Sequence, residues 1–126
     1  MSYTYDPENI FAKILRGEIP NATVFESEHT LAFNDIAPAA PTHVLIIPKG
    51  PYVSYDHFSA EASDAEILDF TRAINEVCKI TGVNMDVGNG FRAIANTGRD
   101  GVQDVPHFHL HIIGGRHMGR MVQKAD

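Results

Sequence analysis

The chain has a single cysteine, no tryptophan and no apolar run long enough to cross a bilayer. Each absence excludes something. The lone Cys78 rules out an internal disulfide and points to a reducing compartment, so a cytoplasmic protein is expected. A membrane helix needs about 18 to 20 consecutive apolar residues, and with none here no membrane partner is expected. The opening MSYTYDPENIF lacks the basic start and apolar run of a signal peptide. Basic charge is scarce as well: 10 Lys and Arg face 16 Asp and Glu, a net charge of −6. Proteins that bind polyanions carry a basic patch, whereas Arg116, Arg120 and Lys124 form only a thin basic tail. Long nucleic acid is therefore not an expected partner. One phosphorylated small molecule stays open, because local backbone dipoles suffice to hold a single phosphate.

What is present fits a soluble globular chain, with 44% hydrophobic and 21% charged residues and no low-complexity tract. Its 126 residues suit one domain spanning 1–126. DPENIFAKILRG reads as a short first helix, with Asp6 as N-cap, Pro7 at the first helical position and Gly17 closing it. Short strands are expected near Thr23–Glu26 and Thr30–Asp35, joined by a turn at Ser27–His29. HVLIIP follows as an unbroken apolar strand, the pattern of a strand covered on both faces. A long helix is expected from about Ser59 to Thr81, with Ser63 and Glu66 able to form a capping box. FRAIAN makes a fourth strand, and the loop TGRDGVQDVP leads into HFHLHIIGG. Several strands with one long helix indicate an α+β fold: an antiparallel sheet with helices packed on it.

HFHLHII is the informative stretch. Side chains alternate across a strand, so His107, His109 and His111 would share one face and Phe108, Leu110 and Ile112 the other. Seven histidines in the chain make a chance cluster on a wet face one reading. A second is zinc, since His-x-His on a strand can place two imidazoles on one ion. Asp104 is the only acid near the triad in sequence, however, and neither H-E-x-x-H nor C-x-x-C occurs. A third is nucleophilic catalysis by the central histidine. Neutral imidazole can attack phosphorus and split one displacement into two, provided a hydrogen bond to its other nitrogen fixes the tautomer.

The stretch NTGRDGVQDVPHFHLHIIGGR resembles the signature of the histidine-triad (HIT) nucleotide hydrolases and transferases, in particular their Hint branch. NIFAKILRGEIP and LAFNDIAPAAPTHVLIIPKG are similar to that branch too, so the resemblance spans nearly the whole chain. It implies a five-stranded antiparallel sheet with two helices, two such sheets joined in a homodimer. The implied reaction is hydrolysis of purine nucleoside 5′-phosphoramidates through a nucleotidyl-histidine, with no metal and no cofactor. The partner would be a purine nucleoside monophosphate or its amidate. By position His109 would be the nucleophile, its other ring nitrogen bonded to the His107 carbonyl. His111 would contact phosphate oxygens, with His107 and His43 in support. Phe11, Ile14, Phe33 and Ile36 would line the purine pocket, and Asp35 would accept from the ribose hydroxyls. Gln103 would lie near the leaving atom, Asn96 would help hold the phosphate, and Val105 would complete the nucleotide contacts.

Four departures from the branch stand out. Asp104 occupies the place of a serine that touches phosphate, and Val102 that of a glycine. Asn9 and Ala12 stand where some relatives have zinc-binding cysteines, so no zinc is expected there. The tail RHMGRMVQKAD lacks a tryptophan that shapes the leaving-group pocket in some members. Two alternatives accompany the main reading: a dinucleoside polyphosphate hydrolase, and a purine-nucleotide-binding regulator with weak catalysis.

Overall fold

A computed structural model describes residues 3–124; the outermost ends of the domain expected over 1–126, and the first residues of the opening segment, lie outside the described residues. The elements run α1 (Ile10–Leu15), β1 (Thr23–Glu26), β2 (Thr30–Asn34), β3 (Thr42–Pro48), α2 (Tyr55–Glu61), α3 (Asp64–Thr81), β4 (Phe91–Ile94) and β5 (Leu110–Gly114). All strand pairs are antiparallel, and the sheet order is β1-β2-β3-β5-β4. This is the expected α+β architecture.

The central strand β3 explains its own sequence. Val44 and Ile46 point to one side, into a cluster with Phe70, Ala73 and Val77 of α3. Leu45 and Ile47 point to the other, into a cluster with Phe11 and Ile14 of α1. A strand with helices on both faces has no wet side to keep polar. Asp69 pins α3 to the β1–β2 hairpin: its Oδ2 accepts from Ser27 Oγ (2.7 Å), His29 N–H (3.1 Å) and Thr30 Oγ1 (2.7 Å). Among the described residues, no helix is long and apolar enough to cross a membrane.

Three boundaries differ from expectation. Helix α1 starts later, because Asn9 and not Asp6 is the N-cap, its side chain accepting from Ala12 N–H at 2.9 Å. Asp6 is occupied in a turn, accepting from Glu8 N–H at 2.9 Å. Asn and Asp cap equally well, so the local turn decides between them. The single helix expected from Ser59 is two helices, giving three among the described residues. Ser54 caps α2, Ala62 is extended, and Ser63 with Glu66 forms the expected capping box that starts α3. Finally, β4 stops at Ile94 and β5 begins at Leu110, so His107 and His109 precede the ladder. Pro106 has no N–H to donate, and Phe108 N–H is given to Tyr52 O (2.8 Å) in the connection after β3.

The double glycine ending β5 is sterically demanded. A Cβ on Gly114 would lie 2.8 Å from Val83 Cγ1, and Gly115 has φ +90° with Pro41 packed over it. This turn closes β5 and leaves the entry of that strand, at the opposite end, to the histidines.

Candidate active site

The alternation read from HFHLHII holds through the entry to β5. Phe108, Leu110 and Ile112 are buried in the α3-side core. On the opposite side, the Leu45–His111 and Phe33–Leu45 pairings set His111 in a row with the apolar residues facing α1. Phe11 of α1 meets His109 edge-on, with ring centroids 4.9 Å apart. His107 is fully buried and His109 nearly so.

Hydrogen bonds fix the protonation pattern of all four histidines. His43 Nδ1 accepts from Ala39 N–H (2.9 Å), so the proton of neutral His43 sits on Nε2. That nitrogen lies 2.9 Å from His111 Nδ1, which must accept, and this leaves the His111 proton on its own Nε2. His109 Nδ1 lies 2.8 Å from the His107 carbonyl, an acceptor only, so Nδ1 is protonated and Nε2 carries a free lone pair. His107 Nε2 donates to Pro48 O (2.9 Å). Its Nδ1 accepts from the Tyr5 hydroxyl (2.7 Å). The result is a bare imidazole nitrogen on His109 beside an N–H donor on His111, ring centroids 5.1 Å apart.

Burial favours the neutral form of the three triad rings, His107, His109 and His111. It pulls His107 down to about 4, although its bond to Pro48 O works the other way. Burial and the neighbouring His109 and His43 take His111 to about 4. His109 is also lowered by burial, opposed by its bond to the His107 carbonyl and by the charges of Asp104 and Asp35. At neutral pH the His109 lone pair is therefore available for attack.

Beside the histidines lies an apolar cleft of about 390 Å³. Six of the residues expected to hold a nucleotide line it: Phe11, Ile14, Phe33, Asp35, Ile36 and Val105. Ile36 stands on its rim, almost wholly exposed. Asp35 joins the cleft to the histidines: one carboxylate oxygen accepts from Ala37 N–H (2.8 Å), and the other is 3.4 Å from His43 Nε2.

Asn96 and Gln103 are not part of that wall. Asn96 lies two residues beyond Ile94, the last residue of β4, which pairs with His111. Gln103 braces its own loop. Its amide N–H groups go to Val53 O (2.6 Å) and Val105 O (3.0 Å), and its oxygen accepts from Gly98 N–H (3.1 Å). Both N–H groups of that amide are thereby taken up within the protein. Val102 keeps a glycine-like backbone, with φ 54°, the only non-glycine residue at positive φ among the described residues. Its N–H is bonded to Arg99 O (3.2 Å) and so is not offered to an anion. Asp104 is exposed.

Asp35, His43 and His111 offer one ligand atom each, all within 4.8 Å of one another. The sequence offered only Asp104 as an acid near the triad and placed Asp35 at the ribose; the fold also brings Asp35 to His43 and His111. The donor set fits a proton better than a cation. A metal on His43 Nε2 would displace the proton there while Nδ1 is already accepting from Ala39, and a neutral imidazole cannot serve as acceptor at both nitrogens. Asn9 and Ala12, at the places of the relatives' cysteines, instead form the cap of α1. Sequence reading missed Tyr5, which lies 102 positions before the histidine it touches and has no motif around it.

The family described as HIT domain matches residues 16–118. The chain belongs to the HIT family. An uncharacterized 13.2 kDa HIT-like protein of Azospirillum brasilense is 52% identical over 125 residues, covering 99% of this chain and 100% of the relative. A purine nucleoside phosphoramidase of Escherichia coli is 42% identical over 115 residues, covering 91% of this HIT chain and 93% of the relative. Among solved structures, a histidine triad protein from Clostridium difficile superposes with a TM-score of 0.79 at 37% identity, covering 94% of this chain and 100% of that one.

Proposed function

We propose that this HIT protein is a nucleotide hydrolase that cleaves purine nucleoside 5′-phosphoramidates, adenosine derivatives among them, through a covalent nucleotidyl-histidine on His109. The observation that carries the reading is the tautomer of His109: its Nδ1–H is tied to the His107 carbonyl, so Nε2 is bare, beside a cleft sized for a base. In the first step Nε2 attacks the α-phosphorus, the N–P bond forms and the P–N bond to the leaving amine breaks, the departing nitrogen taking from solvent a proton that the water of the second step returns. Water then attacks the same phosphorus, releasing the nucleoside monophosphate and restoring neutral imidazole. His111 Nε2–H faces the phosphate oxygens, held in that tautomer by His43. Phe11, Ile14, Phe33, Ile36 and Val105 enclose the purine, and Asp35 accepts from the ribose hydroxyls. Asn96 steadies the phosphate, while Gln103 acts through the loop it holds. The name of the Escherichia coli relative supports the substrate class. The protein works in the cytoplasm as a homodimer; β4 is an end strand of the sheet, with Phe91 41% exposed and available to extend it.

One set of observations favours a second reading, a nucleotide-binding protein with weak catalysis. The Val102 N–H and the Gln103 amide are engaged within the loop, and Asp104 adds negative charge near the phosphate position. A single assay separates the two. An adenosine phosphoramidate with a fluorogenic amine is incubated with the protein in EDTA, and amine release is followed. Sustained release is expected. AMP binding without release would favour the second reading, and release only when EDTA is omitted would point to a metal.

A further inference from the structure

Two tyrosines of the N-terminal segment reach the body of the protein before α1 begins, and they do different things. Tyr3 stacks on His57 with centroids 4.2 Å apart and donates to Asp56 Oδ2 at 2.9 Å. Tyr5 turns toward the histidines and puts its hydroxyl 2.7 Å from His107 Nδ1, with the two rings edge to face at 5.6 Å. His107 is completely buried, so each of its ring nitrogens requires a partner. Pro48 O can only accept, which places the His107 proton on Nε2 and leaves a lone pair on Nδ1. The phenol proton of Tyr5 is what satisfies it. Burial raises Tyr5 above the ordinary phenol range, so the hydroxyl stays protonated and able to donate.

The consequence lies two residues on. The carbonyl of His107 receives the Nδ1–H of His109 at 2.8 Å. Whatever holds the His107 ring also holds that carbonyl, and with it the orientation and tautomer of the attacking histidine. We infer that Tyr5 is a positioning residue for His109: its O–H satisfies Nδ1 of His107, holds that ring in place and neutral, and so holds the carbonyl on which the Nδ1–H of His109 rests. The inference rests on the reading of His109 as nucleophile and adds a part supplied by the N-terminal segment. That segment is thereby coupled to turnover without touching substrate.

The test is Tyr5→Phe, which keeps the ring against His107 and removes only the hydroxyl. Long-range 1H–15N NMR of the imidazoles reads the tautomers in the resting protein. The native protein is expected to show His107 with Nε2 protonated and an unprotonated Nδ1 shifted by a hydrogen bond, and Tyr5→Phe an Nδ1 resonance moved to that of a nitrogen without a donor. With an adenosine phosphoramidate, kcat should fall about tenfold while KM stays within about twofold, the mark of lost positioning rather than lost binding. The acid limb of the kcat profile should also move to higher pH, as His107 becomes easier to protonate. Tyr3→Phe, a change in the same segment, should leave spectrum and profile unchanged. An unmoved His107 Nδ1 resonance in Tyr5→Phe, or a moved one with native kcat and pH profile, would overturn the inference. If Tyr5→Phe folds poorly, 3-fluorotyrosine labelling replaces it: a stronger phenol donor must move the His107 Nδ1 resonance, and an unmoved resonance overturns the inference. A native protein that turns over no phosphoramidate sinks the proposed function instead, and the NMR result still decides whether Tyr5 holds the His107 ring.

Discussion

The two faces of the sheet are built from the same strands and carry opposite chemistry. On the α3 side, Phe108 packs against Tyr55, Phe58 and Phe70, and Ile112 is fully buried in the same apolar cluster. On the α1 side, alternate residues of the same segments are four histidines and Asp35, wired to one another and to backbone groups, next to a cleft that α1 leaves open. One face is closed by a helix of 18 residues, the other only partly by one of six. The difference teaches where stability and reactivity reside. The closed face supplies a rigid platform, and the half-covered face is left with room for a ligand and a desolvated, neutral imidazole.

This division can be broken at either face. The largest effect is expected at His109. His109→Ala should lower kcat by about three orders of magnitude or more while AMP affinity, read by calorimetry, changes little. On the other face, Phe108→Ala should cost about 3–5 kcal/mol of unfolding free energy in urea titrations. A Phe108→Ala protein as stable as the native one would deny that this face is the platform.

Acid sharpens the contrast, because two buried histidines of the α1 face titrate well below the ordinary imidazole range. His107 and His111 have folded values near 4, below the roughly 6.5 of an unfolded histidine. Between those values the unfolded chain binds more protons. Stability is therefore full above about pH 6.5 and falls as pH drops toward 4, with His107 alone contributing on the order of 3 kcal/mol. Urea midpoints measured from pH 7 to pH 4 check this, and a flat series would contradict the neutral, buried assignment.

The smallest effect belongs to the loop. Val102 holds a left-handed backbone that a β-branched residue adopts at a cost. Val102→Gly should raise stability by about 1 kcal/mol, visible as a higher urea midpoint with an unchanged slope.

Most of the fold was legible because it repeats along the chain. Alternation placed β3 and the histidine strand, helical spacing placed α3, and Ser63 with Glu66 marked its start. The helix boundaries were less so: Asp6 and Asn9 are equivalent as caps, and only the turn at Glu8 chooses between them. Within the candidate site, the triad, His43 and the residues of the cleft were readable from motif and resemblance. The proton wiring was not. His43 meets His111 across 68 positions and Tyr5 meets His107 across 102, and such contacts leave no period in the sequence. Gln103 shows the opposite limit, since the same position in a motif fits a ligand contact and a loop brace equally well. Only the carbonyls of Val53 and Val105 show which it is in this chain.

The most direct test of the central claim is to catch the covalent intermediate. Protein is mixed with an adenosine phosphoramidate in EDTA under single-turnover conditions and examined by intact mass without acid, which would cleave a phosphorus–nitrogen bond. The account predicts a transient gain of one adenylyl group in the native protein and none in His109→Ala. Amine release with no adduct at any time, or an adduct that survives in His109→Ala, would contradict it.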